Sequence, residues 1–168
     1  MLITGAASGV GHLLVQLARL AGFSTVIGAV GSADKTDFVR SVGATSAVTY
    51  PAMPSSGADV VLDGAGLLGD ALAGLRPGGR MVFFASGGGT LPAYDLPARG
   101  LTVTGFSMGR FARTSPSAYA DQSARLWEPA RSGELRAMVD STYPLASAAD
   151  AHRRIENRLN RGKVVLLP

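Results

Sequence analysis

Apolar and polar residues alternate along the chain in blocks that predict strands and helices in turn. Residues 2–4 form an apolar, β-prone run that ends at Gly5. From Val10 onward the apolar period becomes helical, and the face predicted to lie inward is Val10, Leu13, Leu14, Leu17, Ala18 and Ala21. Gly22 is placed to end this helix, and a second apolar run covers residues 25–30. This order of elements predicts a right-handed βαβ unit.

The remaining blocks continue the alternation of strands and helices. Strands are predicted at 47–49, 58–63, 80–85, 101–106, 139–143 and 163–167. Helices are predicted at 33–42, 67–75, 115–131 and 147–160, with only a short helical turn in 90–100. The helix at 115–131 is predicted to turn Tyr119, Leu126, Trp127 and Ala130 inward and to kink or end early at Pro129. The pattern predicts an α/β Rossmann fold: a doubly wound, mostly parallel six-stranded sheet in the order 3-2-1-4-5-6, followed by a C-terminal helix and strand.

The turn between the first strand and the first helix carries the first candidate chemistry. Its sequence AASGVG, at 6–11, brings backbone N–H groups to a helix N-terminus. A pyrophosphate binds such a terminus when no Cβ keeps it away, which glycine permits. The predicted pyrophosphate site is therefore Ser8, Gly9, Val10 and Gly11. His12, in the first turn of the helix, is predicted either to contact a phosphate or to be a partly exposed helix residue.

The end of the second strand indicates which dinucleotide is bound. NAD-binding units place a carboxylate about 20 residues beyond the glycine turn, where it binds the ribose hydroxyls. Here that position, near Gly31, has no carboxylate, whereas Ser32 is placed to cap the next helix and Lys35 lies in its first turn. A hydroxyl and a cation suit a 2′-phosphate, so NADP(H) is predicted in preference to NAD. Tyr50, at the end of the third strand, is predicted to cover the adenosine phosphate beside Lys35.

The other half of the dinucleotide is predicted to lie in the crevice where the strand order reverses. Ligands of such sheets gather there, outside the carboxyl ends of the strands. The residues predicted to bind the ribose and nicotinamide half are Gly64, Ala65, Ser86 and Phe106. Asp63 is predicted either to contact the ribose or to cap the following helix. No side chain in this crevice is a convincing general acid, so no catalytic residue is predicted.

The glycine turn also matches a second family of enzymes. Residues 4–11 (TGAASGVG) fit the TGxxxGxG turn of short-chain dehydrogenases. Those enzymes need a Tyr-x-x-x-Lys pair for proton transfer, and none of the 4 tyrosines has a lysine four residues later. The sequence therefore disfavours the short-chain family.

Composition narrows the class of protein further. A length of 168 residues suits one domain, and 46% hydrophobic with 17% charged residues is typical of a globular protein. With no cysteine and 2 histidines, neither a disulfide nor a metal site is predicted. His152 shares a helix face with Ala148, Ile155 and Leu159 and is predicted to be a packed or a capping residue. No apolar run reaches membrane-spanning length, and no basic leader precedes the first strand. These features predict a cytoplasmic protein with no membrane partner.

The net charge of +4 raises the question of a nucleic-acid partner. Basic residues gather near the C-terminus, without interleaved aromatic residues, at Arg153, Arg154, Arg158, Arg161 and Lys163. A nucleic-acid interface needs a continuous basic face. The cluster is therefore interpreted as a solvated helix face, and no nucleic-acid partner is predicted.

Five segments in a fixed order carry a family resemblance. They are AASGVG at 6–11, VGA at 42–44, DVVLDGAG at 59–66, LRPGGRMV at 75–82 and RGKVVLLP at 161–168. The series resembles the cofactor domain of medium-chain dehydrogenases/reductases, in the quinone oxidoreductase and enoyl reductase branch, over essentially the whole chain. The resemblance implies that the turn holds the pyrophosphate and that Lys35 and Tyr50 contact the NADP phosphate.

The resemblance also implies an activity and partners. Zinc-free members transfer hydride from NADPH to a quinone, enone or enoyl substrate, so residues 1–168 are interpreted as the NADP(H)-binding domain of such an oxidoreductase. Family members also have an N-terminal GroES-like catalytic domain, which is not expected in this sequence and on which about residues 137–168 would pack. The predicted partners are a separate catalytic domain and a second copy, bound through the edge strand 101–106. The alternative is a non-catalytic NADP(H)-binding sensor or scaffold.

Overall fold

Strands and helices alternate along the chain in the computed structural model, which describes residues 1–84 and 89–168. The strands are β1 Leu2–Thr4, β2 Ile27–Val30, β3 Ser46–Thr49, β4 Ala58–Asp63, β5 Leu75–Phe83, β6 Thr102–Gly105, β7 Val139–Pro144 and β8 Lys163–Leu167. The helices are α1 Gly11–Leu20, α2 Thr36–Ser41, α3 Leu68–Ala73, α4 Asp95–Arg99, α5 Met108–Thr114, α6 Pro116–Ser132 and α7 Ala148–Glu156. Short 3-10 turns occupy Ala33–Lys35, Tyr50–Ala52 and Leu145–Ser147.

Strands β1 to β6 form one parallel sheet in the order β3-β2-β1-β4-β5-β6, which confirms the predicted fold. Leu2 pairs with Ile27 of β2 on one side and with Val61 of β4 on the other, so β1 is central. Strand β6 lies at one edge and pairs only with β5 among the described residues. The carboxyl ends of β1, β2 and β4 therefore meet where the strand order reverses, which is where such sheets bind ligands.

The sheet has a hydrophobic core on each face. Neighbouring side chains of a strand point to opposite faces, so Leu2 and Ile3 of β1 enter different cores, and both are fully buried. Ile3 packs with residues of α1 and α2, whereas Leu2 packs with Leu72 of α3 and Met81 of β5. Covering both faces with helices explains why these parallel strands are almost continuously apolar.

The inward face of α1 differs from the predicted one. The buried residues are Gly11, His12, Val15 and Ala18, whereas Val10 is 48% exposed. A Cβ on Gly11 would lie 2.0 Å from the carbonyl oxygen of Gly5, so the first turn of the helix is pressed against the turn before it. That contact fixes the rotation of the helix, so that His12 is buried and Val10 is not.

The chain after β6 is less buried than the sheet. Helix α6 packs against α5, which was not predicted, and continues past Pro129 to Ser132. No residue of α6 is buried and Trp127 is 61% exposed, so its predicted inward face is wrong. Strands β7 and β8 form a separate two-stranded parallel sheet with α7, whose buried residue is Ala151; His152 is exposed rather than packed. No helix in the described part of the chain is long and apolar enough to span a membrane.

Candidate functional site

The glycine turn, residues 5–11, joins β1 to α1. Gly5 has φ +62°, and its carbonyl oxygen accepts a hydrogen bond of 2.9 Å from the Ser8 N–H. The Ser8 hydroxyl accepts from the Gly11 N–H at 3.0 Å, so Ser8 satisfies a donor at the start of α1. Only glycine fits at position 11, because a Cβ there would collide with the Gly5 carbonyl. Gly11 is thus required by the packing of the turn itself, a different reason from the predicted close approach of a cofactor.

Unpaired N–H groups lie beside a lysine at the N-terminus of α1. Among residues 1–84 and 89–168, the N–H groups of Gly9 and Val10 have no acceptor, and the Lys163 ammonium has no carboxylate partner. The position of a Cβ on Gly9 is 3.2 Å from Lys163 Cδ and 3.6 Å from its Nζ. The first turn of α1 has no acidic residue. Because the helix dipole disfavours a lone cation at this end, the arrangement suits a bound anion.

The 32–35 loop follows β2 and faces the C-terminal part of the chain. Ser32 takes the N-cap position, but its hydroxyl makes no capping hydrogen bond. A hydrogen bond with the Ser32 side chain, and then one with Arg161, lower the pKa of Asp34. Arg161 Nη2 lies 2.8 Å from Asp34 Oδ2. The carboxylate of Asp34, which the sequence reasoning passed over, is therefore paired.

Lys35 is held between this loop and the end of α7. Its Nζ donates to the carbonyl oxygens of Arg158 and of Asn160, the latter at 3.2 Å. Burial lowers the pKa of Lys35, the Asp34 charge raises it, and the Arg161 charge lowers it again. An ammonium group has three donors, so these contacts orient the cation and leave one donor for a further acceptor.

The 158–163 segment, which joins α7 to β8, forms one wall of the site. The Gly162 N–H donates to the Ala7 carbonyl oxygen at 2.8 Å, which fastens the segment to the glycine turn. Gly162 has φ +100°, and a Cβ there would lie 2.3 Å from the carbonyl oxygen of Met138. The sequence reasoning missed this wall because it continued the helix to residue 160, whereas α7 ends at Glu156. The glycine between two basic residues, RGK at 161–163, was the available signal that this stretch leaves the helix.

Tyr50 stands at the end of β3, beside the ends of β1 and β2. A Cβ on Gly31 would lie 3.5 Å from Tyr50 Cε2, so the ring covers this glycine. Burial raises the pKa of Tyr50, while a backbone hydrogen bond with Gly5 and the Arg158 charge lower it. The structure therefore places Tyr50 between the glycine turn and the 158–163 segment, which also holds Lys35.

Asp63 joins β4 to β1 and is neither a helix cap nor exposed towards a ligand. Its Oδ1 accepts from the Thr4 hydroxyl and, at 3.1 Å, from the Ala65 N–H. Thr4 Oγ1 in turn accepts from the N–H groups of Gly64 and Ala65 at 3.1 and 3.2 Å. Asp63 is fully buried, and both predicted roles are wrong. The pair fixes the backbone of Gly64 and Ala65 at the crevice.

His12 connects the glycine turn to Met138, the residue before β7. It is fully buried, so it is neither a phosphate ligand nor a partly exposed residue. Its Nδ1 lies 2.8 Å from the Ser8 carbonyl oxygen, and its Nε2 accepts from the Met138 N–H at 3.0 Å. These partners require a proton on Nδ1 and none on Nε2. Burial, opposed by the Ser8 hydrogen bond and aided by the Lys163 charge, lowers the pKa of His12.

The predicted nicotinamide end of the site is lined by aromatic rings. A Cβ on Gly64 would lie 2.7 Å from Phe84 Cζ, so this ring covers Gly64. Phe106 is 40% exposed and its ring centroid lies 5.9 Å from that of Phe111. Ser86, also predicted for this end, lies outside the described residues. Gly64 follows β4 and Phe106 follows β6, and β5 lies between these two strands, so both residues stand at the carboxyl edge of the sheet.

Comparison with known proteins places the chain in a family. A family model described as zinc-binding dehydrogenase matches residues 9–123. A probable mitochondrial zinc-binding oxidoreductase of Arthroderma benhamiae is 35% identical over 98% of this chain and 50% of its own length. The chain belongs to the zinc-binding dehydrogenase family. Within the medium-chain dehydrogenases/reductases it corresponds to the cofactor domain, which confirms the predicted resemblance.

Other members of this family extend the likeness to the whole chain. The 2-haloacrylate reductase of Burkholderia sp is 31% identical over 100% of this chain and 55% of its own length. The quinone oxidoreductase of Thermus thermophilus, solved alone and with NADPH, is 31% identical, with a TM-score of 0.88 over 99% of this chain and 57% of that chain. The chain spans about half the length of the curated relatives it matches.

The zinc in the family's description has no matching ligands here. Cysteine is absent, both ring nitrogens of His12 have backbone partners, and His152 is exposed. Among the described residues no three His, Cys, Asp or Glu side chains come together as a metal site would require. The residues present do not fit zinc. The unpaired N–H groups and cations at the glycine turn do fit the phosphates of a dinucleotide.

Proposed function

We propose that this chain is the NADP(H)-binding domain of a medium-chain oxidoreductase. The observation that carries the proposal is that, within residues 1–84 and 89–168, the N–H groups of Gly9 and Val10 have no acceptor and lie beside the Lys163 cation. Two further cations stand nearby: Lys35, bound to the backbone of the 158–163 segment, and Arg158, whose charge acts on Tyr50. An anionic ligand with separate phosphate groups matches this distribution of charge. The NADPH complex of the Thermus thermophilus relative supports the same ligand.

Each predicted site residue receives a role under this proposal. The pyrophosphate lies against the turn, the adenosine phosphate beside the 32–35 loop, and the nicotinamide half at the crevice. The residues assigned to the three parts are, in that order, Ser8, Gly9, Val10 and Gly11; Ser32, Lys35 and Tyr50; and Gly64, Ala65, Ser86 and Phe106. We add Lys163 to the first group and Arg158 to the second, because Lys163 lies beside Gly9 and the Arg158 charge acts on Tyr50. When bound, NADPH supplies a hydride, and the residues named here hold and orient it.

We infer that the cation of Lys35 selects the phosphorylated ribose. Its two carbonyl contacts fix the ammonium before a ligand arrives, which reduces the entropic cost of binding. The nearest acidic group, Asp34, is already paired with Arg161 and so repels a phosphate less. These contacts support NADP(H) over NAD.

The reaction and its partners follow from the family as proposals. We infer hydride transfer to a quinone, enone or enoyl acceptor without zinc, with a GroES-like catalytic domain supplying the rest of the active site. Residues 137–168 would pack on that domain, consistent with the exposed side chains of Val139 and Leu167, which are 54% and 51% accessible. The edge strand β6 is proposed to pair with a second copy, which sedimentation of the purified protein tests. A cytoplasmic location stays a prediction.

A non-catalytic NADP(H) sensor or scaffold is the second candidate function. The observation that favours it is the use of polar groups near the nicotinamide end for structure: Ser107 caps α5 by accepting from the Arg110 N–H, and Asp63 is buried. Oxidation of NADPH by an electrophilic alkene or quinone, in the presence of a GroES-like partner domain, distinguishes the enzyme from the sensor.

Calorimetric titration with NADPH and with NADH tests the cofactor proposal. NADPH is expected to bind more tightly, and Lys35→Ala to weaken NADPH binding by about 1–3 kcal/mol while leaving NADH nearly unchanged. Gly9→Val is expected to abolish binding of both, because its side chain displaces Lys163 from the turn. Arg40→Ala removes an equal charge from an exposed pair with Asp37 and serves as the control. A folded chain that binds neither nucleotide would contradict the proposal.

A further inference from the structure

An acidic residue stands where it would be expected to oppose NADP(H). Asp34 follows β2 in the 32–35 loop and is next to Lys35 in sequence. In NAD-binding units a carboxylate after the second strand binds the ribose hydroxyls and repels a 2′-phosphate. The pKa of Asp34 is lowered by its hydrogen-bond partners, so the group is ionised at neutral pH. A free Asp34 would therefore favour NADH.

Asp34 is not free, because a residue distant in sequence reaches it. Arg161 Nη2 lies 2.8 Å from Asp34 Oδ2, and the two side chains are 46% and 59% exposed. An ion pair so exposed adds little to the stability of a fold. The consequence of this pair is electrostatic. The Arg161 charge compensates that of Asp34, and the charge of Lys35 in the same loop is then left for a ligand.

The backbone of Arg161 is fixed from the opposite side. Its N–H donates to Asp140 Oδ1 at 3.0 Å. Both oxygens of the same carboxylate also accept hydrogen bonds from the Arg154 guanidinium. The hydrogen bonds from Arg154 lower the pKa of Asp140 to about 2, so this anchor stays charged at neutral pH. The next residue, Gly162, is bound to the glycine turn through Ala7. The backbone of Arg161 is therefore held in place, and its side chain extends to the 32–35 loop.

We propose that Arg161 is a specificity-determining residue, which sets the preference for NADP(H) by neutralising Asp34. This inference rests on the proposed function. Arg161 is not required to touch the 2′-phosphate: it removes a repulsion, and Lys35 provides the attraction. Loss of Arg161 exposes the Asp34 carboxylate to the ribose, where it repels a phosphate and accepts a hydrogen bond from a 2′-hydroxyl.

A pair of small nucleotides isolates this effect. 2′,5′-ADP and 5′-AMP differ only by the 2′-phosphate and carry no nicotinamide, so the ratio of their dissociation constants reports the phosphate site alone. At low salt, Arg161→Gln is expected to lower the preference for 2′,5′-ADP about tenfold, and the loss should shrink in 1 M salt. Arg153→Gln removes an equal charge from an exposed pair with Asp150 and should leave the ratio unchanged.

The rescue variant separates neutralisation from direct contact. Adding Asp34→Asn to Arg161→Gln removes the exposed carboxylate, and we expect the preference for 2′,5′-ADP to return to within about threefold of the original chain. An unchanged ratio in Arg161→Gln overturns the inference. So does a loss that Asp34→Asn fails to restore, because Arg161 would then bind the phosphate itself. A chain that is folded but binds neither nucleotide contradicts the proposed function instead.

Discussion

The sheet region, residues 1–105, and the C-terminal region, residues 106–168, are held in place by different forces. In the sheet region Leu2, Ile3 and Leu72 are fully buried. In residues 106–168, all of which the structure describes, Ala151 is the one buried hydrophobic residue, and Trp127 is 61% exposed. Apolar burial therefore stabilises the first region, and the second depends on other contacts.

Those other contacts are polar, and they converge on the candidate site. They join His12 to Met138, Gln16 to Arg136, Ala7 to Gly162, Lys35 to Arg158 and Asn160, and Asp34 to Arg161. Most of these partners in the sheet region belong to the glycine turn, the first turns of α1 or the 32–35 loop. The candidate cofactor site is therefore not built by the βαβ unit alone, because the C-terminal region supplies one of its walls.

The largest effect is expected from a methyl group at the glycine turn. Gly11→Ala places a Cβ 2.0 Å from the Gly5 carbonyl oxygen, and backbone cannot move aside cheaply. We expect the free energy of unfolding to fall by about 4 kcal/mol or more, measured by urea denaturation. Gly109→Ala is the matched control, because a Cβ there meets nothing within 4 Å and lies in the exposed helix α5. It should stabilise the chain by about 0.5–1 kcal/mol; a similar loss in both variants would contradict this explanation.

Two leucines compare the regions directly. Leu72→Ala removes a fully buried side chain of α3 and is expected to cost about 2–5 kcal/mol of unfolding free energy. Leu126→Ala removes the same atoms from α6, where the side chain is 44% exposed, and is expected to cost less than about 1 kcal/mol. Equal costs would show that α6 is packed as firmly as the sheet.

The pH dependence of stability tests the polar attachment. The pKa of His12 is lowered in the folded chain, so folding favours its neutral form. Stability should therefore be complete above the unfolded pKa of about 6.5 and should fall as the pH drops from there through the folded pKa. Protonated Nε2 can no longer accept from the Met138 N–H, which removes one of the polar contacts that hold the C-terminal region.

The second histidine provides the control for this pH effect. His152 is exposed and, unlike His12, has no hydrogen bond in the described part of the chain. The variant His152→Asn should therefore still lose folding stability as the pH falls. His12→Leu should remove the loss of stability below about pH 6.5. It should also cost about 1–3 kcal/mol at neutral pH, because the Met138 N–H loses its acceptor. Denaturation curves at several pH values measure both. If the loss of folding stability at low pH persists in His12→Leu, other groups cause it.

Local patterns sufficed for the sheet and its order. Abrupt changes of period at Gly5 and Gly22 mark the ends of β1 and α1, and buried parallel strands leave apolar runs such as 60–62. The face of α1 was wrong by one or two positions because its rotation is set by a backbone contact between Gly5 and Gly11, which hydrophobicity does not record. The face of α6 was wrong because this helix packs mainly against the short helix α5, which is itself exposed, and buries none of its residues.

Only the part of the candidate site that lies near the first two strands could be predicted from local patterns. The glycine turn and Lys35 carry local signals, and both lie where the sequence placed them. Arg158, Arg161 and Lys163 lie more than a hundred residues later, and their approach to the turn depends on the separate β7–β8 sheet. Apart from Gly162, which indicates that the helix has ended, this run of basic residues has no local feature that distinguishes a solvated helix face from a wall of an anion site.

Hydrogen exchange with and without NADPH tests most directly the claim that both regions build the site. Mass spectrometry of the full chain would follow peptides covering residues 5–12 and 158–163. We expect NADPH to slow exchange in both, because the ligand bridges the glycine turn and the Lys35-bound segment. Protection of 5–12 alone, with 158–163 exchanging as fast as in the free protein, would contradict the account and return the site to the βαβ unit.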